Sequence, residues 1–310
     1  MRVAVSFLLL ACPLVIAAGC FGGGGVDAPP SGPSGSGATG GTGGSGGTGG
    51  SGGAGGMGGA SSSSSSASSS GSGGSGGGIP QNACPKVPNT PEMVELVSFG
   101  TKYCIDSTEV TTAQYKAWLD TNPDPASEMV QPLPECGFNT SFGSVTSPDN
   151  RPVASVDWCD AYAFCLANQK RLCGRIGGGP TPYAGDYANP AVSQWHNACT
   201  MGGMRTFPYG NEYVGEACNG ANTAGATLAV GSLAGCEGGF DHIFDMSGNV
   251  WEWEDSCETQ TGEMDKCHRR GGGFTSSDTD LDCSTASANI TRNNSDPRTG
   301  FRCCVDLATP

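Results

Sequence analysis

Cysteine is the residue type in this chain with the most chemistry to offer, and fourteen cysteines follow Cys20: 84, 104, 136, 159, 165, 173, 199, 218, 236, 257, 267, 283, 303 and 304. Thiolates can ligate soft metals, attack carbonyl centres or crosslink the chain. No C-x-x-C pair occurs, and His196, His242 and His268 are scattered without ligand spacing, so a zinc site is not indicated. An even number of cysteines in an exported domain reads as a disulfide framework. Ser276 could serve as a hydrolytic nucleophile, but no His–Asp pairing that would activate it can be located in the sequence.

The elements that must carry these residues occupy only part of the chain. Arg2 precedes an apolar run from Val3 to Ala18, too short for a membrane span and shaped like a signal peptide, 1–19. The run ends Ala17-Ala18-Gly19-Cys20, which resembles a bacterial lipobox and makes Cys20 the expected acylated first residue of the mature chain. Buried acyl methylenes contribute about 0.8 kcal/mol each, enough together to anchor the protein to a membrane. Residues 20–82 are the lipidated cysteine followed by an almost uninterrupted Gly/Ser/Ala/Thr tract, whose apolar surface is too small to offset the entropy of ordering. Such a coil spans roughly 40–45 Å root-mean-square and acts as a tether.

The folded domain is therefore expected at 83–310, long enough for one substantial core. Apart from Arg2 and Asp27, every charge lies there, 14 basic against 28 acidic residues, so the net charge of −14 belongs to the domain. That surface repels phosphate backbones, which argues against nucleic acid as a partner. Val94, Leu96, Tyr103 and Ile105 suggest two short strands. Thr111 and Gln114 form a capping box before a helix carrying Tyr115, Trp118 and Leu119. A second helix starts at Asp157, with Trp158, Ala161, Tyr162 and Cys165 on one stripe and Cys159 on another, so the two cysteines need different partners. Trp251-Glu252-Trp253-Glu254 alternates like a strand, and Phe301 to Val305 is a short apolar finish. After Cys173, segments such as Gly177-Gly178-Gly179-Pro180 forbid long regular elements. The fold class is α+β: irregular, loop-rich and held by several disulfides.

Several segments in order resemble the formylglycine-generating enzyme, or sulfatase-modifying factor, family. They are Tyr103-Cys104-Ile105-Asp106 with Glu109-Val110-Thr111 and Gln114-Tyr115, Arg151-Pro152-Val153 leading to Val156-Asp157-Trp158-Cys159-Asp160-Ala161, and Lys170-Arg171-Leu172. Phe207-Pro208-Tyr209-Gly210, Asp245-Met246-Ser247-Gly248-Asn249-Val250-Trp251-Glu252-Trp253, Arg270-Gly271-Gly272 and Gly300-Phe301-Arg302-Cys303 complete the series. The resemblance implies a C-type-lectin-like fold. It also implies disulfides Cys165–Cys303 and Cys199–Cys283, while Cys218–Cys236, Cys257–Cys267 and Cys104–Cys136 are expected as closures of short local loops. The partners of Cys84, Cys159, Cys173 and Cys304 stay open.

The family places a structural calcium ion at the turn before Trp251. Carried over, its ligands are the side chains of Asp245 and Glu252 and the carbonyls of Gly248 and Val250, hard oxygens on a tight turn. Family enzymes oxidise a substrate cysteine to formylglycine with oxygen, using two copper-binding cysteines soon after the glycine segment. Here those two positions hold Ser276 and Leu281, and Gly273 replaces the family serine. A hydroxyl and an isobutyl group supply no thiolate for copper, so copper is not expected. The resulting expectation is a non-catalytic, surface-tethered binding or assembly module in a bacterial cell envelope, periplasmic or surface-exposed, with a protein or glycan ligand. The alternative is an active formylglycine-generating oxidase with Cys283 free.

Overall fold

In a computed structural model of the chain, residues 83–221 and 223–308 are described. The expected signal peptide, the acylated Cys20 and the tether lie outside those residues. The described chain runs through β1 (Met93–Ser98), β2 (Thr101–Asp106), α1 (Thr112–Leu119), α2 (Trp158–Ala167), β3 (Arg171–Leu172), α3 (Gln194–Cys199), β4 (Trp251–Cys257), β5 (Lys266–Arg270), α4 (Asp278–Leu281), β6 (Ala286–Thr291), β7 (Thr299–Phe301) and β8 (Cys303–Asp306). Short elements separated by long irregular segments make this the α+β, loop-rich fold expected from the sequence.

Two four-stranded sheets organise it, in the orders β1-β2-β8-β3 and β6-β5-β4-β7. The first is antiparallel throughout, whereas β4 and β7 pair in parallel. Only Arg302 separates β7 from β8, so the closing segment steps from one sheet to the other within a single residue.

Both helices begin where the sequence places them. Thr111 accepts from the Gln114 amide while the Gln114 side chain accepts from the Thr111 amide, and Asp157 and Asp160 make the same reciprocal pair at α2. Each box satisfies two amides that a helix start would otherwise leave unbonded. The helices bury Tyr115, Trp118, Trp158, Ala161, Phe164 and Cys165 in one core with Phe301 and Trp253, while a second core gathers Leu96, Tyr103, Ile105, Trp195, Ile243 and Met246. Tyr162, on the same stripe of α2, stays half-buried and stacks on Trp158 at 5.2 Å between ring centroids.

Seven disulfides tie the loops down: Cys84–Cys104, Cys136–Cys159, Cys165–Cys303, Cys173–Cys304, Cys199–Cys283, Cys218–Cys236 and Cys257–Cys267. The expected Cys104–Cys136 bond is corrected. Cys104 lies on β2 and takes Cys84 from the segment before β1, with Cα atoms 5.6 Å apart. Cys136 sits in the loop covering the start of α2, where Cys159 projects towards it across 5.7 Å. The bonds that form span 20 and 23 positions, fewer than the 32 between Cys104 and Cys136, because Cys84 and Cys159 supply nearer partners. Among the described residues from 200 to 250 there is neither α-helix nor strand, and close backbone contacts pack the stretch. Gly239 (φ +73°) shows how tightly: a Cβ there would lie 1.8 Å from the Ala198 carbonyl oxygen.

Candidate functional site

The turn before β4 has a backbone that few residues tolerate. Asp245, Gly248 and Asn249 all have positive φ, and a Cβ on Gly248 would fall 2.4 Å from the Asn219 carbonyl oxygen. The turn delivers Glu252 inward, where Arg302 meets it as a fork: Nε donates to Oε2 at 2.7 Å and Nη2 to Oε1 at 2.6 Å. The Trp195 indole donates to the same Oε2 at 2.8 Å. Arg302 also donates to the carbonyls of Asp106 and Phe244, at 3.0 and 2.9 Å. Its guanidinium thus binds both sheets and the turn between them.

Asp245 lies beside this pair and accepts from the Gly231 amide at 2.6 Å. Glu109, fully buried, accepts from the Asn249 side chain at 3.2 Å, while its Oε1 has no hydrogen-bond partner. Three carboxylates therefore share one guanidinium. Burial, followed by the charges of Asp245 and Glu252, pushes the Glu109 carboxyl well above its ordinary range. Burial likewise raises Asp245, to about 6. Sequence reasoning missed Glu109 as part of this cluster, because only the tertiary fold brings it to a turn some 140 positions away.

The segment after β5 packs directly on this turn: the Gly248 amide donates to the Gly271 carbonyl at 2.7 Å, the Phe274 amide to the Asn249 carbonyl at 3.0 Å and the Ser247 hydroxyl to the Leu281 carbonyl at 2.7 Å. Arg270 lies 5.0 Å over the Trp195 ring and donates to the Cys283 carbonyl at 2.8 Å. Gly271 and Gly272 follow with φ of +84° and +71°. Ser276 is buried, its Oγ accepting from the Gly273 amide at 3.1 Å. Leu281 is buried too, and a Cβ on Gly220 would meet its Cδ1 at 2.7 Å. Cys283 is bonded to Cys199. The loop is a packed structural element with an internal hydroxyl hydrogen bond and an apolar plug.

A family model, the sulfatase-modifying factor enzyme 1-like domain, matches residues 76–307. This chain belongs to that family. A stretch of 125 residues is 28% identical to the formylglycine-generating enzyme of Mus musculus, covering 36% of this chain and 28% of the mouse protein. Among solved structures, PvdO from Pseudomonas aeruginosa is similar over 71% of this chain and 96% of its own, at 18% identity and a TM-score of 0.46. CarF is similar over 67% and 87% respectively, at 21% identity and a TM-score of 0.42.

The two sequence-derived regions are in direct contact, with the acidic turn hydrogen-bonded to the loop that holds Leu281. Every cysteine from Cys84 to Cys304 is in a disulfide, so the segment holding Ser276 and Leu281 contains no thiol. Two features of the acidic turn bear on whether a calcium ion fits it. Carboxylates outnumber guanidinium there, and the Glu109 oxygen is unpartnered. Glu252, however, already has both oxygens engaged by Arg302 and Trp195. Among the described residues no three Asp, Glu, His or Cys side chains gather as a metal-binding group, so an ion here would have to draw on Asp245 and backbone carbonyls rather than on Glu252. Seven disulfides mark a domain that matures in an oxidising, extracytoplasmic compartment. No helix among the described residues is long and apolar enough to cross a membrane.

Proposed function

We propose that this protein is a surface-tethered lipoprotein whose sulfatase-modifying-factor domain is a non-catalytic binding or assembly module. One observation carries the reading: all fourteen cysteines of the domain are spent in disulfides, Cys283 included. Copper-dependent oxidation of a substrate thiol needs soft thiolate ligands, and a hydroxyl bonded to Gly273 and a buried isobutyl group supply none. The anchor is Cys20, and calcium, held by Asp245 with the Gly248 and Val250 carbonyls beside Glu252, is a structural ion rather than a catalytic one. A protein or glycan at the cell envelope is the partner, and the acidic domain disfavours nucleic acid.

Two measurements test the reading. Thiol titration of the denatured, unreduced protein is expected to find no free cysteine among the fourteen. A copper-reconstituted assay on a cysteine-containing peptide is expected to show no oxygen-dependent formylglycine. Clear turnover in that assay establishes the oxidase alternative, which the 28% identity to the mouse enzyme would favour. Mass analysis of the N-terminal peptide checks the anchor, through a diacylglyceryl mass on Cys20.

A further inference from the structure

Away from both regions, a cleft of about 280 Å³ opens where the start of α2 meets β4 and the loops before and after it, with Trp158, Tyr162, Glu135, Arg171, Asp255 and Arg292 in its lining. One of its polar groups is incompletely bonded. Arg292 is only 1% exposed, and its guanidinium lies 4.4 Å over the Trp158 ring. Its Nη2 donates to Asp265 and to the Thr259 carbonyl, both at 3.1 Å, while Nε and Nη1 have no partner. An unsatisfied buried donor costs about 1–3 kcal/mol, which an acceptor entering the cleft would relieve. Asp255 is the complementary charge. It lies half-buried on β4, where the charges of Arg171, Glu254, Arg292 and Glu135 act on it through space. Burial raises its carboxyl to about 6.

The remaining charges narrow the ligand. Arg171 is already forked onto Asp306 at 2.7 and 2.9 Å, so it walls the cleft without offering a free charge. A simple anion entering would meet Asp255 and Glu135; a simple cation would meet Arg171 and Arg292. A neutral ligand carrying donors and acceptors side by side answers both Arg292 and Asp255. The half-buried Tyr162 ring, stacked at 19° on Trp158, offers an apolar platform for a flat carbon face. The volume lies at the small end for ligand sites.

We propose that this cleft is a carbohydrate subsite that takes one neutral pyranose ring, with ring hydroxyls accepting from Arg292 and donating to Asp255 while the C–H face lies on Tyr162. The assignment rests on the binding-module reading and supplies its ligand class. Its test uses the full-length chain in detergent with methyl glucosides, galactosides, mannosides and N-acetylglucosaminides, read by saturation-transfer NMR and calorimetry. At least one glycoside is expected to bind, and Tyr162→Ala and Asp255→Asn are each expected to weaken it tenfold or more. Near-UV circular dichroism and a zero thiol count serve to establish that each variant is folded. The proposal is overturned by the absence of transfer from every glycoside, by transfer that both folded variants leave unchanged, or by a cleft that takes lysine methyl ester or acetate instead. Formylglycine production in the separate copper assay would sink the module reading without altering the glycoside result, so the two failures are distinguishable.

Discussion

Two disulfides hold the same pair of chain segments, and their removal should therefore be strongly non-additive. Cys165 and Cys173 flank the α2–β3 junction, eight positions apart, and their partners Cys303 and Cys304 are adjacent at the start of β8. Because the Cys199–Cys283 bond persists and shortens the path between the two segments, either bond alone closes a loop of about 50 residues, worth about 4 kcal/mol at 25 °C. With one bond in place, the second closes a loop of only about ten residues, worth about 2.7 kcal/mol by the same relation. Cys165→Ala/Cys303→Ala should thus cost about 2.7 kcal/mol in chain entropy, as should Cys173→Ala/Cys304→Ala, whereas removing all four should cost about 7 kcal/mol. The packing lost at each buried sulfur adds to every variant and largely cancels in the cycle, which leaves a coupling of about 1.5 kcal/mol. Since the full loss approaches the whole stability of an ordinary domain, guanidinium unfolding of the four proteins is compared in a fixed concentration of sucrose. A quadruple variant whose cost equals the sum of the two pairs would refute the reasoning, because the two closures would then be independent.

Arg302→Met should cost about 3–5 kcal/mol, because it strands three buried carboxylates; Glu252→Gln should cost less, since Glu109 and Asp245 still face the guanidinium. Denaturant midpoints decide the order, and a larger loss in Glu252→Gln contradicts it. If calcium occupies the acidic turn, a saturating concentration at a hundred times its dissociation constant should raise Tm by about 5–10 °C over chelator, and Asp245→Asn should abolish the shift; superimposable melts with and without chelator exclude the ion. Burial, then the charge of Asp160, lifts the Asp157 carboxyl to about 7, so ionising it at neutral pH destabilises the folded state. The sign follows from a folded pKa above the unfolded one: the penalty is full above about 7 and fades as pH falls towards the unfolded value. Asp157→Asn keeps the cap oxygen and should stabilise the protein by about 1–2 kcal/mol at pH 7.5, with the gain shrinking towards pH 4 in chemical denaturation; a gain that grows on acidification is the wrong sign.

What could be read before folding was local. The capping boxes at Thr111 and Asp157 and the strand at Trp251 follow from residues three or four positions apart, and each formed as expected. The different faces of Cys159 and Cys165 on α2 are equally legible, and the two do take different partners. Longer-range relations are not. Cys104 and Cys136 each have a nearer partner, Cys84 at 20 positions and Cys159 at 23, and only the fold shows that β2 meets the segment before β1 while the loop at Cys136 covers α2. Glu109 carries no local mark of its role, since its neighbours Asn249, Asp245 and Arg302 arrive from the far end of the chain. The cleft at Trp158 was invisible for the same reason: Tyr162, Asp255 and Arg292 come from three separate segments.

The frame and the loop that distinguish this chain are held by different forces, which explains how one could change without the other. Arg302 sits in the one-residue step between the sheets and takes its partners from β4, the end of β2 and the acidic turn. A guanidinium so placed constrains β4, β7 and β8 together, and an apolar replacement would strand Glu252 at the centre of the domain. Nothing in that arrangement requires a thiol. Ser276 and Leu281 are held instead by a Gly273 amide and by the space above Gly220 and Gly272, contacts that a hydroxyl and an aliphatic side chain satisfy fully. A loop packed around Ser276 and Leu281 therefore leaves the core charge balance untouched. A variant such as Leu281→Cys should accordingly lose packing locally and retain the sheets, but a lone cysteine beside a bonded Ser276 would still lack the second thiolate of a copper site.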